Sequence, residues 1–306
     1  MATKSDMSKI LICSDGHSQA EKAIRFIAPI AARCGAEAAV LGIIENEKDE
    51  TPLLKALQRG ARILRENGVK TELATKAGEP VDEIRKRTAE VEYDLVVIGA
   101  ERKKGGGLSW MSEKAYSIIK LIEPPVLAVI GNRTSVRKLV ICSGGKRYID
   151  NAVELVGRIA CGGGVKVTIL HVMAEPPAMY ADMIRQEEDV ARLLASSSDL
   201  GRNLLHEKKA LEAKGIPAEV RLRHGLVVRE LFEEIRREDF DMIVTGSSRA
   251  AGPLETYIMG DVTSEIVNGA DCPVLVVRGD EPGERRAGLF SRILGLGGGK
   301  PGKEGG

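Results

Sequence analysis

Four turns in the sequence carry residues that could do chemistry. Asp15, Gly16 and His17 follow the apolar run KILICS, and GAERKKGGGLSWMSEK runs from Gly99 to Lys114 after DLVVI. Further on, SGGKR starts at Ser143 after KLVIC, and GSSRAAGPLETYIMGDVTSE starts at Gly246 after DMIVT. A glycine-containing loop that leads from a strand into a helix offers backbone N–H groups that the first helical turn leaves unused. Such donors suit phosphate oxygens. The chemistry these turns allow is the holding of a nucleotide-like ligand. Covalent chemistry has less support: His17, His171, His206 and His224 are scattered, with no acid and nucleophile ordered around them, so neither a metal site nor a triad emerges. Several other residues have plain structural readings. His171, in ILHV, is a packed polar residue at a strand end, Trp110 and Met111 are an apolar anchor opening a helix, and Lys103 to Gly107 (KKGGG) is a solvated loop.

The elements that position these turns are written twice. Lys9 maps to Lys138 and Gly35 to Gly164, each 129 positions on, whereas Gly78 maps to Gly225 and Asp94 to Asp241, each 147 positions on. An insertion of 18 residues therefore separates the two registers. The longer stretch that contains it, Ala174 to Gly215, places Val190, Leu193, Leu194, Leu200, Leu204 and Leu211 at mostly helical spacings, so the insertion is expected chiefly as a longer amphipathic helix. Within each copy, five Val-, Ile- and Leu-rich runs alternate with helical patterns. Runs that are apolar without alternation are buried on both faces, which means a parallel sheet covered by helices: an α/β architecture with five strands per half. In such sheets a ligand lies beyond the carboxyl ends of the strands, where the turns singled out above belong. The expected boundaries are 1–134 for the first domain and 135–279 for the second, with a Gly- and Arg-rich tail over 280–306.

Composition narrows the function classes. The chain has 306 residues, enough for two compact cores, and 45 basic against 44 acidic residues, a balance with no field for nucleic acid. The five cysteines, Cys13, Cys34, Cys142, Cys161 and Cys272, never form CxxC and mostly sit in apolar runs, as buried thiols in a reducing compartment do. No apolar run reaches the roughly 18 residues of a spanning helix. A cytoplasmic location is the expectation. In the tail, Leu289, Phe290, Ile293 and Leu294 lie beside Arg285, Arg286 and Arg292, a pattern open to docking on a partner or a membrane surface, or to packing on its own domain.

Two tandem copies with a DG or GG turn after the first strand, DLVVIG or DMIVTGSS at the fourth, and a closing PPVLAVIG or CPVLVVRG resemble the universal stress protein family. The resemblance spans Lys9 to Arg278. It implies Rossmann-like domains of the adenine nucleotide alpha hydrolase-like kind, strand order 3-2-1-4-5 in each half, and pairing through the last strands. In one branch of the family it also implies ATP in the crevice.

That branch places an aspartate after the first strand against adenine, and around the phosphates glycine, two residues, glycine, nine residues, glycine, then serine or threonine. By that resemblance the candidate residues are Asp15, Gly99, Arg102 and Glu113 in half one, and Gly246, Arg249, Gly260 and Asp261 in half two. The match is incomplete in both. Arg102 and Arg249 replace the second glycine, Ser112 and Glu113 replace the final pair in half one, Asp261 ends the motif in half two, and Gly144 stands at the aspartate position. Asp15 is open to two roles, adenine contact or cap of the first helix. A carboxylate at Glu113 or Asp261 faces the helix N-terminus that would receive a phosphate, and two like charges about 4 Å apart repel by about 4 kcal/mol at an effective dielectric near 20. Pairs Arg102–Glu113 and Arg249–Asp261 would fill the phosphate sites from within, whereas a bound magnesium ion bridging acid and phosphate would keep ATP in place. The expectation is a non-enzymatic stress-response module with degraded nucleotide sites, no resident cofactor and a protein partner. The alternatives are an ATP- or AMP-dependent switch and a protein docked through its tail.

Overall fold

A computed structural model describes residues 7–45, 50–105, 108–145, 150–160, 162–173, 188–249, 257–258 and 260–279. In half one, β1 (Lys9–Ser14), β2 (Glu37–Ile44), β3 (Thr71–Ala77), β4 (Leu95–Gly99) and β7 (Val126–Val129) alternate with α1 (Ser18–Cys34), α2 (Thr51–Glu66), α3 (Pro80–Glu90) and α4 (Glu113–Leu121). A hairpin, β5 (Arg102–Gly105) with β6 (Leu108–Met111), precedes α4. Half two repeats the pattern with β8 (Lys138–Cys142), α5 (Asp150–Ala160), β9 (Lys166–Met173), α6 (Glu188–Ala195), α7 (Asp199–Glu212), β10 (Ala218–His224), α8 (Val227–Glu238), β11 (Met242–Arg249), β12 (Tyr257–Ile258), α9 (Asp261–Gly269) and β13 (Val274–Gly279).

Apart from the separate β5–β6 hairpin, the strands form one continuous sheet in the order β10-β9-β8-β11-β13-β7-β4-β1-β2-β3, with β12 added to β11. Each half is parallel in the order 3-2-1-4-5, and the two meet where β7 pairs antiparallel with β13, Leu127 opposite Leu275. The last strands therefore satisfy each other within the chain, so β7 and β13 are interior and the outer edges of the sheet are β10 and β3. Apolar cores cover both faces of the sheet and cross the junction. One face carries Ile24, Leu57, Val156 and Leu204 from α1, α2, α5 and α7, and the other carries Ile84, Ile118, Leu231 and Ile266 from α3, α4, α8 and α9. At roughly 1.5–3 kcal/mol for each large side chain buried, these layers are the main source of stability.

An aspartate performs the same task in each half. Asp94 accepts the backbone N–H groups of Ser8 (2.8 Å) and Lys9 (3.0 Å), and Asp241 accepts those of Arg137 (2.8 Å) and Lys138 (3.0 Å), so each carboxylate ties down the start of its half's first strand. Arg158 of α5 reaches Asp94 at 3.2 Å, an ion pair between halves. Arg278, at the end of β13, is buried and donates to Ser247 Oγ (2.8 Å) and to the carbonyls of Ile122 (2.7 Å) and Ile119, at the C-terminus of α4 where a cation is favoured. Ile130 is its counterpart in half one, so the internal symmetry is broken at the junction.

Three local expectations change. The longer stretch between β9 and β10 contains two helices among its described residues: Ser198 caps α7 by accepting the Gly201 N–H (3.1 Å), and a hydroxyl cap starts a new helix where a continuous one was expected. Trp110 and Met111 belong to β6, and Met111 packs into the core from that hairpin. Lys103 to Gly105 lie in β5, because pairing with Ser109 and Trp110 gives their backbone a ladder partner. Gly106, Gly107 and the tail from 280 onward lie outside the described residues.

Candidate functional site

Each half has a crevice at the carboxyl ends of its strands, built from equivalent elements with opposite outcomes. In half one the walls are the end of β1 (Cys13, Ser14, Asp15), the end of β2 (Ile43, Glu45), the end of β4 (Ile98, Gly99) and the first turns of α4 (Ser112, Lys114, Ala115). The space left is about 90 Å³. Three contacts close it. Lys114 Nζ donates to both Glu45 carboxylate oxygens at 2.6 Å, bridging α4 to β2. Gly16 takes φ +83° while α2 leans on the turn, so an added Cβ would come within 3.2 Å of Leu53 Cα. Gly99 lies against α1, where an added Cβ would stand 2.2 Å from the Gln19 carbonyl oxygen. Burial behind this wall pushes the Cys13 thiol up to about 12.

The candidate residues of half one separate. Asp15 Oδ1 accepts the His17 N–H (3.0 Å) and its other oxygen faces His17 Nδ1 (3.2 Å), so it serves the turn. The helix cap position itself belongs to His17. Ser112 caps α4 through the Ala115 N–H (3.3 Å), and Glu113 is the exposed first residue of that helix, where its charge is favoured. The side chains of Arg102, Arg249 and Asp261 lie outside the described residues, and with them both expected arginine–acid pairs. The ion pair that occupies crevice one is Glu45–Lys114, which motif matching does not single out.

Crevice two measures about 490 Å³. Its described walls are Cys142, Ser143 and Gly144 after β8, Leu170, His171 and Val172 on β9, Val227 and Leu231 on α8, Thr245, Gly246 and Ser247 on β11, and Val262 and Thr263 on α9. None of these is Lys, Arg, Asp or Glu. Its polar groups are mostly engaged. Thr263 donates to the Gly246 carbonyl (2.7 Å), Ser143 Oγ donates to Glu207 (3.1 Å), Ser247 accepts from Arg278, and His171 Nδ1 meets the Ser143 carbonyl at 2.8 Å. His171 thus faces the crevice as well as packing at its strand. Burial raises the Cys142 thiol to about 12, so it is an apolar wall group and no nucleophile. Gly246 takes the place of Gly99 in the repeat, the counterparts of Gln19 and Ala20 lie outside the described residues, and Gly260 is the exposed N-cap of α9.

The repeat explains the difference. Val262 is the second residue of its helix, as Lys114 is of α4; Ala174 stands 129 positions after Glu45, and Gly144 replaces Asp15. Among the described residues, the wall positions of Asp15 and Lys114 are held by the uncharged Gly144 and Val262 in crevice two.

The model of the universal stress protein family matches residues 7–129 and again 135–278. The chain belongs to that family. A universal stress protein of Methanocaldococcus jannaschii is 27% identical over 143 residues, 46% of this chain and 82% of the relative. One from Bacillus subtilis is 24% identical over 154 residues, 46% of this chain and 98% of the relative. A universal stress protein structure from Archaeoglobus fulgidus superposes with a TM-score of 0.66 at 17% identity, covering 89% of this chain and 99% of that one, which supports the fold of the whole tandem unit. This universal stress protein has, among its described residues, no group of three or more His, Cys, Asp or Glu side chains fit to hold a metal, and no helix long and apolar enough to cross a membrane.

Proposed function

We infer that the chain is a non-enzymatic regulatory module of the stress response in which the nucleotide-reading groups are degraded and only the second crevice remains able to take a ligand. The observation that carries this reading is the asymmetry between a 90 Å³ crevice crossed by Glu45–Lys114 and a 490 Å³ crevice with no charged described wall. Regulation then consists of ligand occupancy in half two altering a surface that a protein partner reads. A ligand bound in either half at a hundred times its dissociation constant stabilises the fold by about 2.7 kcal/mol. The test is a thermal melt with millimolar ATP and magnesium, paired with analysis of the small molecules released from freshly denatured protein. The expected result is an unchanged midpoint and no adenine nucleotide. A raised midpoint, or ATP or AMP in stoichiometric amount, refutes the reading. It would favour the second one, a nucleotide switch, for which the exposed Gly260 N-cap of α9 is the supporting feature.

A further inference from the structure

Crevice two has kept the position of the family's crevice and changed its chemistry. Its volume of about 490 Å³ falls within the range of sites that enclose small organic ligands, commonly about 300–1,000 Å³. Its walls are Leu170, Val172, Leu231 and two valines, Val227 and Val262, that remain 41% and 39% exposed. Apolar side chains facing a concave site without cover are what an apolar ligand buries. A charged ligand would forfeit hydration there, and the described walls supply no counter-charge to offset that cost. Two substitutions on the described walls run the same way along the repeat: Asp15 to Gly144 and Lys114 to Val262 each remove both charge and bulk. His171 leaves one polar edge, its ring held by the Ser143 carbonyl.

We propose that crevice two binds an uncharged small molecule with an apolar body and one hydrogen-bonding edge, and that it discriminates against phosphate-bearing ligands. This rests on the reading that the second crevice is the working one. The ligand lies against β9, α8 and the start of α9, with its polar edge toward His171, and its apolar body covers Val227 and Val262.

The test uses the full chain and the neutral dye Nile red, followed by fluorescence and by methyl NMR of the valine and leucine side chains. One equivalent is expected to bind and to shift the methyl signals of Val172, Val227, Leu231 and Val262. Val262→Lys, which restores the charge found in half one, should weaken binding about tenfold or more. Gly144→Leu should block it as well, because its added side chain projects into open space and the fold has no reason to fail. ATP with magnesium should not displace the dye. Dye binding that both variants leave untouched, or methyl shifts confined to other regions, overturns the proposal. If the dye fails to bind while ATP also leaves the melt unchanged, this inference falls alone. If ATP binds and displaces the dye, the neutral-ligand assignment and the degraded-site reading both fall.

Discussion

Replacing Gly99 with alanine tests whether this glycine is kept for packing. In half one the new Cβ would lie 2.2 Å and 2.3 Å from the Gln19 carbonyl oxygen and carbon, and 2.7 Å from the Ala20 nitrogen. These are backbone atoms of α1, so no side chain can swing aside, and the helix must lift from β4 by about 1 Å. That helix buries Ala23, Ile24, Phe26 and Ile27, so the retreat loosens a large part of one core layer. Overpacking costs about 1–3 kcal/mol and sometimes more, and a three-atom backbone clash belongs at the upper end, about 3 kcal/mol. For a unit of this size each kcal/mol moves the midpoint by about 2–4 °C, so Gly99→Ala should melt about 6–12 °C lower. Urea unfolding followed by circular dichroism gives the number. A loss below about 0.5 kcal/mol for Gly99→Ala would refute the claim that helix packing has claimed the first glycine of half one.

Other outcomes follow from the same contacts. Glu234 is buried among Arg221, Arg223 and Arg237; burial pushes its carboxyl up, but the hydrogen bonds of Arg221 and Arg223 and the nearby positive charges outweigh it and hold it below its ordinary 4.5. Its stabilisation is therefore present above the unfolded carboxyl value and lost as pH falls through the folded one. Glu234→Gln should cost about 1–3 kcal/mol at pH 7 and flatten the acid limb of stability against pH; an unchanged limb counts against it. Arg278→Met removes the donors to Ser247, Ile119 and Ile122, and should destabilise by about 1–3 kcal/mol in a urea titration; a gain in stability would show the junction does not need it. Lys114→Ala breaks a partly exposed pair, so its stability cost should stay below about 1 kcal/mol. It should nonetheless speed alkylation of Cys13 behind the pair, read by mass spectrometry, and an unchanged rate would mean the pair does not close crevice one.

The strand and helix elements were legible because both-face burial leaves unbroken apolar runs such as Leu95–Ile98 and Val274–Val277, and because each run occurs twice. Asp94 and Asp241 were visible as an aligned pair, and the folded chain gives them one shared task. Arg278 also had a signal, a lone charge where the other copy has Ile130, but its value depends on α4 ending opposite β13. The break between α6 and α7 was written in Ser196 to Ser198 and outweighed by the spacing of leucines on either side.

By itself the sequence determined the repeat, the parallel α/β layers and the places where a ligand could sit, since these follow from local patterns and from one half read against the other. Only the tertiary structure decided which crevice stays open. Glu45 and Lys114 are 69 residues apart, and nothing local says they meet; parallel strands carry β2 and α4 to the same edge of the sheet, where the pair closes one crevice, while Val262 stands among the uncharged described walls of the other. Gly99 likewise carries no local sign of its task, because a glycine's meaning is set by what packs above it, here the backbone of α1.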